Sequence, residues 1–595
     1  MCATTILLTL KAELARSALG WPASLLGTLS AASFALVLSS LISLLPGVVR
    51  GGVFAIVLFL ASASAQADLC YFRRFGDLTS VAHLAFADQL VAVTGSVKEL
   101  IRPRDILLWW DVPVAVVAAL VLRRPRARGR SKLGLAGATG GLALLAITLA
   151  WPLEEARQRG LTGYHLADAL LAASRPWGRA GRVDRARASA AAWLTLHRSK
   201  SGSLDPTMPE APRGKNVIVV QVESLQAFVL GMRTDGGAVA PALDALARES
   251  VSFERFFEQT GQGTTADADL LAQCSLYPLR QGAAYFRYSE NTFACLPSLL
   301  RRSGYSTLAM QGIDAGFWNL DVIYPRIGIE RYLSLSDVPA FRRSFTGLGL
   351  RDDRLLDWAA DELERARAPS YAFVVTLTSH DPFDVSWIPS PLDVGSLEGT
   401  KAGRYLQAIH WTDAAIGRFV ERLRSAGVLD RSILVVYGDH AGLFRSDSGA
   451  DRLMPHEART ESGWNAFERS VPLLIRLPQG VSAGARQVPG GQIDIAPTLA
   501  ALLGIDASAA PWLGRNLLDG GPSGTVFFND GSALSEDLLF ISDRLARAAS
   551  GCFDGTTGDH LPPQACRALA ADAELALGVS RDILELDLVP ALQSR

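Results

Sequence analysis

Before residue 153 the chain carries four long apolar runs: Trp21 to Leu45, Gly52 to Ala67, Ile106 to Leu122 and Leu133 to Trp151. Each is close to the ~20 residues that a helix needs to cross a bilayer. They account for a mean hydropathy of +0.20 and a 49% hydrophobic content, both high for a soluble chain of 595 residues. A cleaved signal peptide would explain the first run but not the later three. Residues 1–152 are therefore expected to form a bundle of about four transmembrane helices. The dense basic loop Arg123, Arg124, Arg126, Arg128, Arg130 and Lys132 sets its orientation, because short basic loops stay in the cytoplasm. The last span then runs outward, and everything after Trp151 is placed outside the cytoplasmic (inner) membrane. Counting back puts Lys11 and Arg16 on the unfavoured side. Either those two charges are outvoted, or one more span is missing upstream.

From Leu153 to Lys215 the composition turns to Ala, Arg, Leu and Ser at helical spacing and ends in the turn-rich SGSLDPTMPEAPRGK, which reads as a helical linker and a domain boundary. Beyond it, short β-rich runs alternate with amphipathic stretches, the pattern of an α/β domain with a largely parallel central sheet. Residues 216–520 are expected to be that extracytoplasmic domain, and 521–595 its C-terminal part plus a tail, with a strand in GTVFFNDGS and a helix around Glu536 to Ala549. An exported domain permits disulfides, and Cys274 with Cys295 and Cys552 with Cys566 are candidate pairs, while Cys2 and Cys70 fall in the membrane region. A net charge of −1 leaves no basic bias of the kind nucleic-acid binding needs.

Three strands carry chemistry. NVIVVQVES ends at Glu223, SYAFVVTLTSHDPF near His380, and RSILVVYGDHAG at Asp439 and His440. In open α/β sheets the carboxyl ends of the strands converge on one crevice, so these four side chains are expected to meet there. Taken singly, each is an ordinary turn or cap residue; four together are not. In QTGQGTTADADLLAQC, Gly261 and Gly263 allow a tight turn and Thr265 falls where a helix begins, an N-cap position. Two carboxylates and an imidazole suit a divalent cation of the manganese, magnesium or zinc kind, and the Thr265 hydroxyl could fill a remaining position. Coordination lowers the hydroxyl pKa and makes Thr265 a usable nucleophile beside a helix N-terminus that favours phosphate.

The set formed by Glu223, Thr265 with the following SLYPL, His380 in TSHDPF, the Asp439–His440 pair and the late QIDIAPTLAALLG resembles the lipoteichoic acid synthase branch of the alkaline phosphatase and sulfatase superfamily. The likeness spans about Asn216 to Asp519 and reaches into the membrane half through LCYFRRFGDL and SVKELIRPRDILLW. It implies a sulfatase-like α/β fold and a membrane-anchored transferase. Such an enzyme takes phosphoglycerol from phosphatidylglycerol, holds it on the threonine and passes it to an acceptor hydroxyl. It further implies that Glu223, Thr265, Asp439 and His440 bind one metal ion, commonly Mn2+ or Mg2+, and that His380 and Trp318, in GFWNLD, hold the substrate. The family's five-span bundle agrees with a further span upstream.

Two positions depart from the family pattern. Gln311 stands where a histidine is common before the FWN segment, and Leu320 where an arginine is common just after it. A periplasmic glucan is therefore as good an expected acceptor as a teichoic-acid-like glycerol-phosphate polymer. Arg326 is the nearby candidate to restore the charge. TTADAD lacks the Cys/Ser-x-Pro-x-Arg setting of a sulfatase, and the spacing of Asp314, His410 and His456 recommends no second metal site; His410 reads as a helix-packing residue. Phosphoethanolamine transfer or phosphodiester hydrolysis uses the same plan, and a catalytically inactive scaffold is the alternative from another class.

Overall fold

The computed structural model describes residues 2–84, 89, 93–121, 130–150, 156–174, 179–198, 214–346, 348–389, 391–480, 483–519, 524–542 and 550–593. The basic loop before Arg130 and the turn-rich end of the expected linker lie outside them. The chain forms two units, 1–87 with 94–178, and 88–93 with 179–595.

The first unit is helical: α1 (Cys2–Ala18), α2 (Leu25–Leu44), α3 (Gly47–Phe75), α4 (Thr94–Leu100), α5 (Asp111–Val121), α6 (Arg130–Ala150) and α7 (Ala156–Ser174). Among the described residues two helices are long and apolar enough to cross a membrane, Leu25–Leu44 and Val49–Phe75. The apolar run from Gly52 to Ala67 is the middle of a longer helix than expected. The run from Ile106 to Leu122 is instead split, with a 3-10 turn over Pro103–Leu108 ahead of the 11-residue α5. Small residues bring α6 onto α2: a Cβ on Gly141 would stand 2.9 Å from Val37 Cγ2 and 3.1 Å from Ser33 O.

Ahead of the first apolar run, α1 carries Lys11, whose placement topology alone left in conflict. Lys11 is buried, and its Nζ donates to Asp111 Oδ1 (2.8 Å), to Leu108 O (2.7 Å) and to Ser62. A charge paired in this way is satisfied inside the helical unit. The RRFGDL and RPRDILLW stretches meet in the same way. Arg73 Nη1 and Nη2 donate to Asp105 Oδ2 and Oδ1 at 2.6 and 2.7 Å, a bidentate pair.

The second unit is built on an eight-stranded sheet. In chain order its strands are β1 (Asn216–Val222), β2 (Val251–Phe253), β3 (Ser306–Gln311), β4 (Arg331–Leu333), β5 (Ser370–Val375), β6 (Ser432–Gly438), β7 (Leu473–Arg476) and β8 (Gly484–Arg486), and across the sheet they run β8-β2-β7-β6-β1-β5-β3-β4. Only β7 runs against its neighbours. β1, β5 and β6 are buried along their whole length and are rich in Val and Ile, as strands covered on both faces must be. Val217 and Val219 enter one core and Ile218, Val220 and Val222 the other, so the strand's two-residue period divides the apolar residues between the two layers.

The expected linker is split between the units. Its second helix, α8 (Arg179–Arg198), buries Trp193 and Leu194 in the core that holds the sheet, and Arg182 pairs with Glu585 at 3.0 Å. The helix Arg567–Leu586 packs into the same core through Ala573, Ala576 and Leu577. A five-stranded antiparallel sheet spans Val526–Phe527 to His560–Leu561. Where a helix around Glu536 to Ala549 is expected, Leu538–Ile541 is a strand of this sheet, and 543–549 lie outside the described residues. Cross-strand pairing of Leu539 with Phe553 overrides the helical tendency of the local sequence.

Both expected disulfides are present, Cys274–Cys295 and Cys552–Cys566. The first closes a 21-residue interval and holds the last residue of the helix that begins at Thr264. Replacing Cys274 and Cys295 together by serine is expected to cost about 2–4 kcal/mol of stability. Chemical denaturation of the oxidised protein and the double variant measures the difference.

Candidate active site

Glu223 follows β1 and Asp439 follows β6, two adjacent strands in parallel register in which Val222 faces Gly438. That register fixes the two carboxylates side by side. The backbone then aims them. Ser224 N and His440 N both donate to Asp439 Oδ1 at 2.7 Å, and Ser224 Oγ donates to Glu223 Oε1 at 2.8 Å. Thr376 and Ser379, after β5, hold the backbone of Glu223: Glu223 N donates to Thr376 Oγ1 (3.0 Å) and Ser379 Oγ to Glu223 O (2.6 Å).

The nucleophile candidate arrives on α9 (Thr264–Cys274). Thr265 is the second residue of this helix, and Gly263 occupies the cap. Its hydroxyl does not cap; it donates to Glu223 Oε2 at 3.2 Å and lies 3.5 Å from His440 Nε2. The capping role falls to Asp267, a residue whose part the sequence did not disclose: its Oδ2 accepts from Gly261 N (3.0 Å) and Gly263 N (2.8 Å). Burial pushes the Asp267 carboxyl up to about 7 against the pull of those two N–H groups. Both glycines are needed for close approach rather than for turning. A Cβ on Gly263 would lie 2.3 Å from Asp267 Oδ1, and one on Gly261 1.9 Å from Asn529 Nδ2.

Beneath α9, Gln221 Nε2 donates to Thr265 O at 3.1 Å while its Oε1 accepts from Tyr437 OH. Gln492, in QIDIAP, donates to the carbonyls of Gly438 (2.9 Å) and Asp439 (2.5 Å) and accepts from Gln259 N (3.1 Å). One glutamine thus ties the late motif to the strand end carrying Asp439 and to the loop that leads into α9.

Glu223, Asp439 and His440 each offer a ligand atom within 4.8 Å of the others, the single such group of three or more among the described residues. His440 Nε2 is 3.3 Å from Glu223 Oε1 and 3.6 Å from Asp439 Oδ2. Burial alone would raise both carboxyls. In Glu223 the charges of His440 and then His380 outweigh burial and hold the group below its usual range. In Asp439 burial and the neighbouring Glu223 charge act together and push the group up. Asp439 Oδ2 is buried and receives no hydrogen bond. A bare buried carboxylate oxygen is costly unless a cation neutralises it. Two carboxylates, an imidazole nitrogen and a hydroxyl fit one hard divalent cation.

The remaining expected residues are placed as follows. His380 is partly buried, with Nδ1 bonded to Asp381 O at 2.6 Å, and its charge reaches Glu223. Trp318 sits in the αL region (φ 56°), its ring 6.2 Å from the Phe286 ring, and its backbone N–H donates to Oε1 of Gln89, a member of the same unit, at 3.3 Å. Gln311 and Leu320 are buried, at the carboxyl end of β3 and in the core. Arg326 pairs with Glu290 at 2.6 Å on the exposed surface, so its charge is already engaged. His410 Nδ1 bonds to Val239 O at 2.8 Å, a packing role, and Asp314 accepts from Gly316 N.

A sulfatase family model matches residues 215–505, and a model of the lipoteichoic acid synthase N-terminal domain matches residues 2–174. Between them they cover most of the chain. Lipoteichoic acid synthase 1 of Bacillus subtilis (strain 168) is 27% identical over 558 residues, 90% of this chain and 85% of the relative. The crystal structure of the lipoteichoic acid synthase LtaP from Listeria monocytogenes superposes with a TM-score of 0.57 at 24% identity, over 67% of this chain and 98% of that one. A protein of the alkaline phosphatase superfamily from Vibrio parahaemolyticus gives 0.52 at 20%, over 68% and 95%. The second unit thus has the fold of the alkaline phosphatase and sulfatase superfamily and carries a match to the sulfatase model, behind a helical N-terminal unit that matches the synthase N-terminal domain. Within that superfamily, the chain is lipoteichoic acid synthase-like.

Asp439→Asn keeps the volume and loses the charge, and is expected to weaken Mn2+ binding by at least about tenfold. Asp267→Asn, which removes no ligand atom, is expected to leave binding within about twofold. Titration calorimetry on the metal-stripped protein checks both.

Proposed function

We propose that this chain is a metal-dependent membrane transferase that moves phosphoglycerol from phosphatidylglycerol, through a phosphodiester on Thr265, to an extracytoplasmic acceptor. One observation carries the reading: the Thr265 hydroxyl stands within reach of both Glu223 and His440, at the edge of a buried donor set that suits a single cation. The lipid donor is supported by the relatives named lipoteichoic acid synthase. Residues 1–152 are proposed as the multi-pass membrane region of the cell membrane, with 216–520 the catalytic domain on its outer side. Two disulfides, one in that domain and one in its C-terminal part, support an oxidising compartment.

Glu223, Asp439, His440 and Thr265 would hold the ion, Mn2+ or Mg2+ by family likeness. A bound divalent cation supplies a lowered pKa for the Thr265 hydroxyl. The chain's own residues do the rest. Asp267 and Gln221 fix the backbone on either side of Thr265, so that its Oγ1 is presented at the end of the sheet without a loop to order. Attack of Oγ1 on phosphorus breaks the bond to the diacylglycerol oxygen, and the threonine proton ends on that leaving alcohol. An acceptor hydroxyl then attacks the same phosphorus, breaks the bond to Thr265 and returns a proton to it. His380 and Trp318 are assigned to hold the head group, His380 with its Nδ1 already engaged by the backbone and Nε2 available.

Gln311 and Leu320 favour keeping a second head group in view. With neither side chain cationic, the site is less committed to phosphoglycerol, and phosphoethanolamine transfer or hydrolysis of the same phosphodiester is the second reading. A periplasmic glucan stands beside a glycerol-phosphate polymer as acceptor.

Diacylglycerol release from phosphatidylglycerol vesicles by the full chain is expected to require Mn2+ or Mg2+. It is expected to fall by about three orders of magnitude or more in Thr265→Ala, with the melting temperature kept. Release from phosphatidylethanolamine but not phosphatidylglycerol would move the assignment to the second reading.

A further inference from the structure

In the second unit large apolar side chains are rarely exposed among the described residues, yet two phenylalanines lie four positions apart on one loop: Phe341 is 82% exposed and Phe345 51%. Arg343, midway between them, is exposed and makes no ion pair among the described residues. The three alternate with inward-turned neighbours. Arg342 pairs with Asp357 and Asp361, on the helix Asp352–Arg365, and Ser344 O accepts from Arg351 N at 2.9 Å. The backbone is thus tied down through Arg342 and Ser344, and the Arg342 guanidinium lies 5.2 Å from the centre of the Phe341 ring, while Phe341, Arg343 and Phe345 stay exposed. Single exposed apolar side chains are ordinary on a surface, but two aromatic rings held four positions apart on one anchored loop, with a cation between them, form a local apolar patch.

The loop also belongs to the edge of the domain that carries the site. Phe345 bridges to Leu350, and Leu350 N donates to Gly312 O at 2.7 Å, directly after β3. Asp352 accepts from Leu377 N (2.7 Å) and Thr378 N (3.1 Å), two residues before His380. The anchors of the loop and the loop holding His380 are therefore one hydrogen-bonded piece at the carboxyl ends of the strands.

We propose that Pro339–Phe345 is a lipid-contacting loop that sets this edge of the domain against an anionic bilayer surface. Aromatic rings settle at the boundary between headgroups and acyl chains, and an arginine among them adds attraction to anionic headgroups. The chemistry of the loop fits that partner better than a protein groove, which would call for a broader apolar face. A bilayer is also the partner at hand in a chain with two helices of membrane-crossing length. The inference rests on the membrane placement in the proposed function but not on the reaction, so its test reads position and not turnover.

The test uses the full chain reconstituted in vesicles, with spin labels at Phe341→Cys or Phe345→Cys in a Cys2→Ser, Cys70→Ser background, where the other four cysteines are disulfide-bonded. A label at Leu575→Cys, 48% exposed on the helix Arg567–Leu586, is the reference. In phosphatidylglycerol vesicles both loop labels are expected to be severalfold more accessible to lipid-dissolved oxygen, and less accessible to a water-soluble nickel chelate, than the reference. Arg343→Glu is expected to reduce that difference. Loop labels as open to nickel as the reference would overturn the proposal. Equal protection in phosphatidylcholine vesicles would overturn its anionic part. Because Thr265 chemistry is not read, failure here is separate from failure of the transferase reading.

Discussion

The structure depends on one constraint: two carboxylates, Glu223 and Asp439, are buried side by side at the ends of adjacent parallel strands. Parallel pairing with Val222 opposite Gly438 places them there; His440 and His380 hold Glu223 below the usual carboxylate range against burial, while burial and then the Glu223 charge push Asp439 above it. Much of the second unit can be read as the apparatus that tolerates this arrangement. Ser224, Thr376 and Ser379 satisfy the surrounding backbone and carboxylate atoms, Gln492 holds the Asp439 carbonyl, and His440 stands over both acids. What is left unsatisfied is one oxygen, Asp439 Oδ2, facing the side from which His440 approaches. The whole arrangement is organised around a point where positive charge is needed and the polypeptide supplies little.

Around that point the nucleophile helix is positioned from its hidden side. Asp267 gathers the two glycine N–H groups, Gln221 takes the Thr265 carbonyl, and the Cys274–Cys295 disulfide closes the far end. Deeper still, Asp269 accepts from Tyr285, Tyr324 and Gln273, while Ala268, Leu270, Leu271 and Ala272 of the same helix are packed in the apolar core. A helix fixed this way does not rotate to relieve a clash, which is why the glycines before it have no room for a side chain.

The sequence made the residues of the site legible because strand ends are legible. Runs such as NVIVVQV and SILVVYG announce buried parallel strands, and a titratable residue directly after such a run can only lie at the crevice. The supports were not legible for the complementary reason. Asp267, Gln221 and Gln492 act through backbone groups that no local pattern reveals, and only the position of Gln492 in a quoted motif marked it. Thr265 looked like a cap because threonines after glycines cap helices; its partner, Glu223, is 42 residues away in sequence and reachable only through the fold. In the helical unit, composition located the apolar runs but not their ends. Gly52 to Ala67 extends to Phe75 because Arg73 finds Asp105, and Ile106 to Leu122 is interrupted where Leu108 O turns to accept from Lys11.

The central claim is that Thr265 carries the transferred group. Mass spectrometry of the full chain, quenched in acid after brief mixing with phosphatidylglycerol and Mn2+ in the absence of an acceptor, tests it most directly. The account predicts a peptide containing Thr265 heavier by one phosphoglycerol group, absent when metal is withheld. Diacylglycerol release with no adduct on that peptide, or an adduct on another residue, would contradict it.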